Sequence, residues 1–272
     1  MERVQNFLFD EIFIACIVSP LMNGFDSSFV SPVIPPGSSR RKPLRAVFEI
    51  IMVSGIVSSA LISLLFAAIF GRERLNLFKM DIGFFMLFML SESVVTFLIL
   101  WTLMKMRRET FATLGLRWKR WKKHVLAGVA AAPGLILVSV IIGAVFRVFF
   151  PEHVPDKNPL MAMINSPRDV IFFIITVILA GGIKEELQRA FILRRFRRHL
   201  GGACVGLFVW SIAFGLGHYA QGVPGVCAAA ILGFIFGVLY LMRGNLILPI
   251  TAHSAYNTLT LLIYWFAINS GK

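Results

Sequence analysis

Seven apolar stretches, each close to twenty residues long, occupy most of the chain and constrain its fold more than any other feature. We place them at 46–70, 82–104, 125–149, 169–193, 203–220, 226–242 and 246–268. A helix needs about twenty apolar residues to cross a hydrocarbon core of about 30 Å. Hydrophobic residues make up 57% of the 272 residues, more than a soluble protein of this length can bury. The sequence therefore predicts an all-α, polytopic membrane protein with about seven transmembrane helices.

The basic residues lie in short clusters between the apolar stretches and not along one amphipathic face. The net charge of +13 therefore indicates membrane orientation and lipid headgroup contact, with no nucleic-acid partner. The clusters at 40–45, 105–123 and 194–198 fall on one side of the predicted topology. The positive-inside rule places that side and the N-terminus in the cytoplasm. In a bacterial host the membrane would be the plasma (inner) membrane.

The chain divides into two regions of different composition. Residues 1–45 combine a short apolar run with a segment rich in Pro, Gly and Ser, and carry no signal-peptide pattern. We interpret them as an interfacial N-terminal segment followed by a linker. Residues 46–268 are predicted to form a single transmembrane helical domain, and its last four spans, 168–268, contain the polar groups considered next.

Glu185 and Glu186 are adjacent in the fourth apolar stretch. Ionisable groups at bilayer depth are expensive unless they are partnered, and they mark functional sites by default. Glu185 and Arg189 are four residues apart, so on an α-helix they share a face and are expected to form an ion pair. Glu186 would then point about 100° away and be free for another partner.

Two further pairs at helical spacing follow in later spans: Phe214 with His218, and His253 with Asn257. Together with the glutamates they supply two imidazoles, two carboxylates and one amide that can converge between three helices. Such a set suits hydrolysis, because a carboxylate and an imidazole can deprotonate water while an amide donates to the oxyanion. Two His and one Glu also match a catalytic zinc site. The residues alone leave metal-bound and carboxylate-activated water both open.

The order of these motifs resembles the CPBP family, which comprises the CAAX proteases and bacteriocin-processing enzymes and is also called the abortive-infection family. Glu-Glu followed by Arg, then Phe-x-x-x-His, then His-x-x-x-Asn occur on successive terminal spans, and the resemblance covers roughly residues 110–268. It implies an intramembrane endopeptidase, of metallo or non-metallo type, that hydrolyses a peptide bond near the membrane surface. The implied substrate is a prenylated CAAX peptide or a leader peptide.

The resemblance also implies a role for each site residue. Glu185 and His218 would activate the water, and Asn257 would stabilise the oxyanion. Glu186 and His253 would complete the polar site or, with His218, bind Zn or another divalent metal; otherwise there would be no cofactor. Arg189 and Phe214 would support the site.

One departure from the family pattern leaves a second hypothesis open. The family usually places Arg five residues after the first Glu, whereas Arg189 is four residues after Glu185. If the register is fixed on Arg189, Lys184 replaces the first glutamate, and the chain would be a catalytically inactive immunity or scaffold protein with the same fold. We favour the Glu185-Glu186 register, because Leu187 follows the pair as the family's apolar residue often does.

Three further expectations concern geometry. A straight fourth helix starting at Pro167 would carry Glu185 about 27 Å along its axis, so a bend at Gly181-Gly182 or a longer fifth span is needed for Glu185 to reach His218. We expect Glu185, His218 and His253 to line one cavity. Glu92, in the second span, should pair with Arg147 or line that cavity.

Overall fold

The computed structural model describes residues 41–76, 80–155, 158 and 160–269, and within these ranges every regular element is a helix. The predicted N-terminal segment, residues 1–45, lies outside the described residues except for 41–45, which begin the first helix. The predicted all-α fold is confirmed for the part of the chain that the structure describes.

Among the described residues, nine α-helices and one π-helical segment position the site. The α-helices are α1 Arg41–Val53, α2 Ile56–Phe70, α3 Ile82–Met106, α4 Trp121–Phe149, α5 Pro167–Thr176, α6 Glu186–His199, α7 Ala203–Leu216, α8 Gly222–Arg243 and α9 Ile247–Asn269. The π-helical segment, Val177–Glu185, joins α5 to α6. Each of the seven predicted spans is therefore helical, but the first is split into two helices and the fourth is interrupted.

Among the described residues, fewer single helices are long and apolar enough to cross a bilayer than the seven apolar stretches predicted. By length and composition α3, α4 and α8 can each span a membrane, and α1 with α2, bent by 40°, would make a fourth such span among the described residues. The bend falls at Gly55, whose φ of +94° lies in the left-handed region that glycine adopts readily. By contrast, α7 has only 14 residues, about 21 Å at 1.5 Å per residue, which is shorter than the hydrocarbon core.

The strongly charged helix α6 lies at the centre of the bundle. Its side chains Leu187, Phe191 and Leu193 belong to the main hydrophobic core, which α1, α3, α7 and α8 complete. The outer helix faces carry exposed apolar side chains such as Leu64 and Leu126. An exposed apolar exterior around a partly polar interior is expected of an integral membrane protein.

The basic cluster at 194–198 was predicted to contact lipid headgroups, but two of its side chains, Arg194 and Arg195, face inward. Arg195 is 2% exposed; its Nε donates to Glu49 Oε2 at 2.6 Å and its Nη2 to Glu109 Oε2 at 2.7 Å. Arg194 also donates to Glu109, at 2.9 Å. Burial acts to raise the pKa of Glu109, but the hydrogen bonds and charges of these two arginines outweigh it and hold that pKa below its usual range. The network ties α1, the loop after α3 and α6 together at one end of the bundle.

Candidate active site

The π-helical segment brings Glu185 to the site. It contains Gly181 and Gly182, whose lack of side chains lets α9 pack closely against it. A Cβ on Gly182 would lie 1.9 Å from Ser254 Oγ, and one on Gly181 would lie 2.8 Å from Asn257 Nδ2. The adjustment expected at Gly181-Gly182 is therefore a π-helical widening of the turn, a feature that is frequent at functional sites.

Glu186, the first residue of α6, is the most enclosed ionisable group of the site. Its side chain is fully buried, and its Oε1 accepts from Arg189 Nη1 and lies 2.9 Å from His253 Nδ1. The predicted ion pair between Glu185 and Arg189 is wrong, because Arg189 pairs with Glu186 instead and Glu185 lies beside His253. Glu186 and Arg189 are three residues apart within α6, which also places them on one face.

Two aromatic rings hold the Arg189 guanidinium in place. Its Cζ lies 4.8 Å from the ring centroid of Phe214 and 5.7 Å from that of Phe236. A cation over an aromatic face is stabilised by the ring quadrupole, and more so when it is desolvated. Phe236 also stacks on His253, with ring centroids 4.4 Å apart. Phe236 is not predictable as a site residue from the sequence, because nothing in its spacing separates it from the other phenylalanines.

His253 lies between the two glutamates. Its Nδ1 bonds Glu186, and its Nε2 lies 3.9 Å from Glu185 Oε2. A carboxylate only accepts hydrogen bonds, so Nδ1 carries the proton and the lone pair of a neutral ring is on Nε2. The buried glutamate therefore fixes which edge of the imidazole faces Glu185.

His218 follows the end of α7 and is oriented by the backbone. Its Nδ1 lies 2.8 Å from the carbonyl oxygen of Phe214. Because a carbonyl oxygen only accepts, Nδ1 donates and Nε2 remains available to a substrate. Asn257 lies one turn after His253 on α9.

One cavity of about 950 Å³ is lined by Glu185, His218, His253 and Asn257. Glu186 and Arg189 support its wall from within the protein, since both side chains are buried. The structure thus brings the predicted site residues together, while the catalytic role of each stays a prediction.

Lys184 and Glu92 add an ion pair to the same cavity wall. Lys184 Nζ lies 2.9 Å from Glu92 Oε2. The other carboxylate oxygen, Oε1, accepts from the hydroxyls of Ser58 at 2.7 Å and Thr96 at 2.8 Å. The predicted partner of Glu92, Arg147, is wrong because α3 packs against α2, α5 and the π-helical segment. The alternative expectation, that Glu92 lines the cavity, is confirmed.

The predicted metal ligands do not converge on one point. In the part of the chain that the structure describes, no group of three His, Cys, Asp or Glu side chains is arranged to hold a metal ion. Glu186 is bonded to the Nδ1 edge of His253, whereas the Nε2 edge faces Glu185. Glu186, His218 and His253 therefore do not fit a common metal in this arrangement, and we assign no step to one.

The fold and site define an all-α integral membrane protein with a carboxylate–imidazole site enclosed between α6, α7 and α9. Residues 166–259 match the family model described as Rce1-like, "Type II CAAX prenyl endopeptidase Rce1-like". The predicted resemblance to CAAX proteases is confirmed over this segment, which contains every predicted site residue. The match supports an intramembrane endopeptidase that acts on a peptide or protein at the membrane. Neither a curated protein nor a solved structure matches the chain.

Proposed function

We propose that this protein cleaves a peptide bond of a prenylated CAAX peptide at the membrane, using a water activated between Glu185 and His253. One observation carries the proposal. Glu185 Oε2 and His253 Nε2 lie 3.9 Å apart on the wall of a cavity that His218 and Asn257 also line. A carboxylate and an unprotonated imidazole nitrogen facing the same space can each accept a proton from one water.

The separation of 3.9 Å suits a bridging water. One water that donates two hydrogen bonds, each of about 2.8 Å from its oxygen to the acceptor, can reach two acceptors at this separation. The water would donate one hydrogen to Glu185 and the other to His253, which leaves an oxygen lone pair for the substrate carbonyl. Both acceptors are held on helical segments, so the water would be oriented before attack.

The reaction then needs one proton relay. As the water oxygen bonds to the carbonyl carbon, Glu185 takes a proton from the water. As the C–N bond breaks, the same proton moves to the leaving nitrogen, giving an amine product and a carboxylic acid that keeps the second water hydrogen and then releases it to solvent. Asn257 is suited to donate an amide hydrogen bond to the oxyanion that forms between these two steps. His218 Nε2 offers a further hydrogen-bonding group in the same cavity.

Glu186 and Arg189 would act through His253. The buried carboxylate holds the Nδ1 proton, and Arg189 keeps that carboxylate charged. A carboxylate that orients a catalytic histidine has the same role in serine hydrolases. We therefore infer that Glu186 and Arg189 are positioning residues.

The shape of the cavity supports a lipidated substrate. Besides the polar site residues its lining includes Phe85, Met89, Phe173 and Leu261, which belong to one hydrophobic cluster. Phe85 and Phe173 stack there with ring centroids 5.6 Å apart. An apolar compartment beside the polar site suits a prenyl chain attached close to the bond to be cut.

The inactive-scaffold hypothesis required Lys184 to take the place of the first glutamate. Lys184 instead pairs with Glu92, while Glu185 lies next to His253. This arrangement supports the Glu185-Glu186 register, and with it an active enzyme.

The basic clusters support a cytoplasmic N-terminus and, in a bacterial host, location in the inner membrane. A reporter enzyme that is active on only one side of the membrane, fused before residue 1, tests this orientation. Activity on the non-cytoplasmic side would contradict it.

The test uses the purified full chain in lipid nanodiscs with three peptides: a farnesylated CAAX peptide, the same peptide without the lipid, and a leader peptide. We expect cleavage of the farnesylated peptide and a rate reduced about 100-fold or more in Glu185→Gln. The control Glu73→Gln removes an exposed carboxylate outside the site and should retain the wild-type rate. Wild-type turnover by Glu185→Gln would refute the mechanism. Cleavage of the leader peptide alone would refute the substrate assignment.

A further inference from the structure

A second cavity, of about 500 Å³, lies between the start of α4 and the end of α8. Its lining includes four exposed cationic side chains, Arg117, Arg120, Lys123 and Arg243. Within the described part of the chain, none of the four forms an ion pair with a carboxylate. Four like charges around one cavity repel one another, so an anion is the ligand that this site favours.

The surroundings place this cavity at the level of the lipid headgroups. Trp118 and Trp121 are 71% and 44% exposed beside it, and tryptophan is enriched at the membrane–water interface. Leu126, about one turn further along α4, is 72% exposed and begins an apolar outer face. The cavity therefore opens where the chain passes from a basic loop into a lipid-facing helix.

Apolar side chains complete the lining. Ala127 of α4, Leu241 of α8 and Leu248 of α9 line the cavity together with the cationic side chains. A free phosphate ion would gain nothing from them, whereas the glycerol and upper acyl carbons of a phospholipid would be buried against them. The combination of cations and apolar surface therefore distinguishes a lipid from a soluble anion.

We propose that this cavity binds the phosphoryl headgroup of an anionic phospholipid, with its acyl chains along the exposed face of α4. Arginine presents paired N–H donors that match two phosphate oxygens, and Arg117, Arg120 and Arg243 supply three such groups. Basic pockets between membrane helices on the cytoplasmic side bind acidic lipid headgroups in this way. The cavity shares no lining residue with the cavity of about 950 Å³ at the candidate active site. The proposal is therefore independent of the proposed peptidase function.

Lipid binding is measured on the full chain in detergent micelles by native mass spectrometry, with titrated phosphatidylglycerol and with phosphatidylcholine. The test variant is Arg117→Gln/Arg243→Gln. Its matched control is Lys119→Gln/Lys122→Gln, which removes the same charge near the start of α4 but from residues that do not line the cavity. We expect phosphatidylglycerol to bind the test variant about 30-fold more weakly than the wild type, since each basic residue near the surface contributes about one kcal/mol. The control should bind as the wild type does.

Three outcomes would overturn the assignment. Equal weakening in both double variants would mean that the basic loop attracts lipid without a specific site. Equal affinity for phosphatidylcholine and phosphatidylglycerol would show that the cationic side chains do not select an anionic headgroup. Displacement of phosphatidylglycerol by an equal concentration of inorganic phosphate would assign the site to a soluble anion. Circular dichroism identifies a variant that fails to fold, and Lys123→Gln, with an expected weakening of about fivefold, then replaces it in the same comparison.

Discussion

Glu186 and His253 are bonded through Oε1 and Nδ1 at 2.9 Å, in the interior of the bundle. The neighbouring glutamate, Glu185, has a different environment, with a side chain that is 16% exposed and faces the cavity. Two carboxylates that are adjacent in sequence therefore lie in different environments, one buried and one at the cavity wall. The buried one is bonded to the imidazole, and the cavity-facing one is the glutamate that we propose activates the water.

This difference in environment predicts that the same substitution changes the free energy of unfolding far more at Glu186 than at Glu185. Glu186→Gln leaves the buried Arg189 guanidinium without a counter-charge and should destabilise the protein by about 3–5 kcal/mol. Glu185→Gln should change the free energy of unfolding by less than about 1 kcal/mol, because within the described residues Glu185 makes only a long contact of 3.9 Å with His253 Nε2. Reversible unfolding of both variants in the same detergent gives the comparison. Equal losses would show that Glu185 is as structural as Glu186.

A second prediction concerns the ion pair between Glu92 and Lys184. Each side chain is nearly buried, so Glu92→Gln should leave an uncompensated ammonium and Lys184→Met an uncompensated carboxylate. Each single change should cost about 3 kcal/mol, whereas the double variant should lose clearly less than the sum. A double-mutant cycle on unfolding free energies measures the difference. Additive losses would mean that the two side chains do not interact.

A third prediction follows from the lowered pKa of Glu109. A carboxyl whose pKa is lower in the folded than in the unfolded state stabilises the fold above the unfolded value, near 4.5, and loses this contribution as the pH falls through the folded value. Wild type should therefore be more stable than Glu109→Gln at pH 7, and the difference should shrink as the pH falls below about 4.5. Unfolding midpoints of both proteins across that range provide the test. A difference that does not change with pH would contradict a role for the Glu109 charge.

The sequence predicted which polar residues meet, but not how they pair. The positions of Glu185, Glu186, His218, His253 and Asn257 on terminal helices were sufficient to place four of them around one cavity and Glu186 in its supporting wall. The i,i+4 spacing predicted an ion pair between Glu185 and Arg189, but the guanidinium pairs with Glu186, which is three residues away on the same face. Which nitrogen of each histidine faces the cavity depends on contacts between helices, which sequence spacing does not contain.

The partner of Glu92 and the number of helices that fully cross the membrane also depend on helix packing, which the sequence pattern does not reveal. Hydropathy marked Glu92 and Arg147 as charged residues within spans, but only helix packing shows that Lys184 is the partner. All seven apolar stretches are helical, yet α7 is too short to cross and the fourth stretch is interrupted. Apolarity predicts that a segment is buried in lipid or protein, and it does not distinguish between these two environments.

The close contact at Gly182 gives the last prediction. A Cβ there would lie 1.9 Å from Ser254 Oγ and 3.2 Å from Ser254 Cβ, so Gly182→Ala has to turn the Ser254 hydroxyl away and move α9 by a few tenths of an ångström. Overpacking of this kind typically costs about 1–3 kcal/mol. Because His253 and Asn257 are on the displaced helix, the turnover of a farnesylated peptide should also fall, by about tenfold or more.

Gly134 in α4 provides the matched control, since a Cβ at that position would meet nothing within 4 Å. Gly134→Ala should keep full turnover and stabilise the helix by up to about 1 kcal/mol, because alanine has the higher helix propensity. Turnover and unfolding are measured on both variants in one preparation. If Gly182→Ala matches Gly134→Ala in both, the close approach of α9 is not needed to hold His253 beside Glu185.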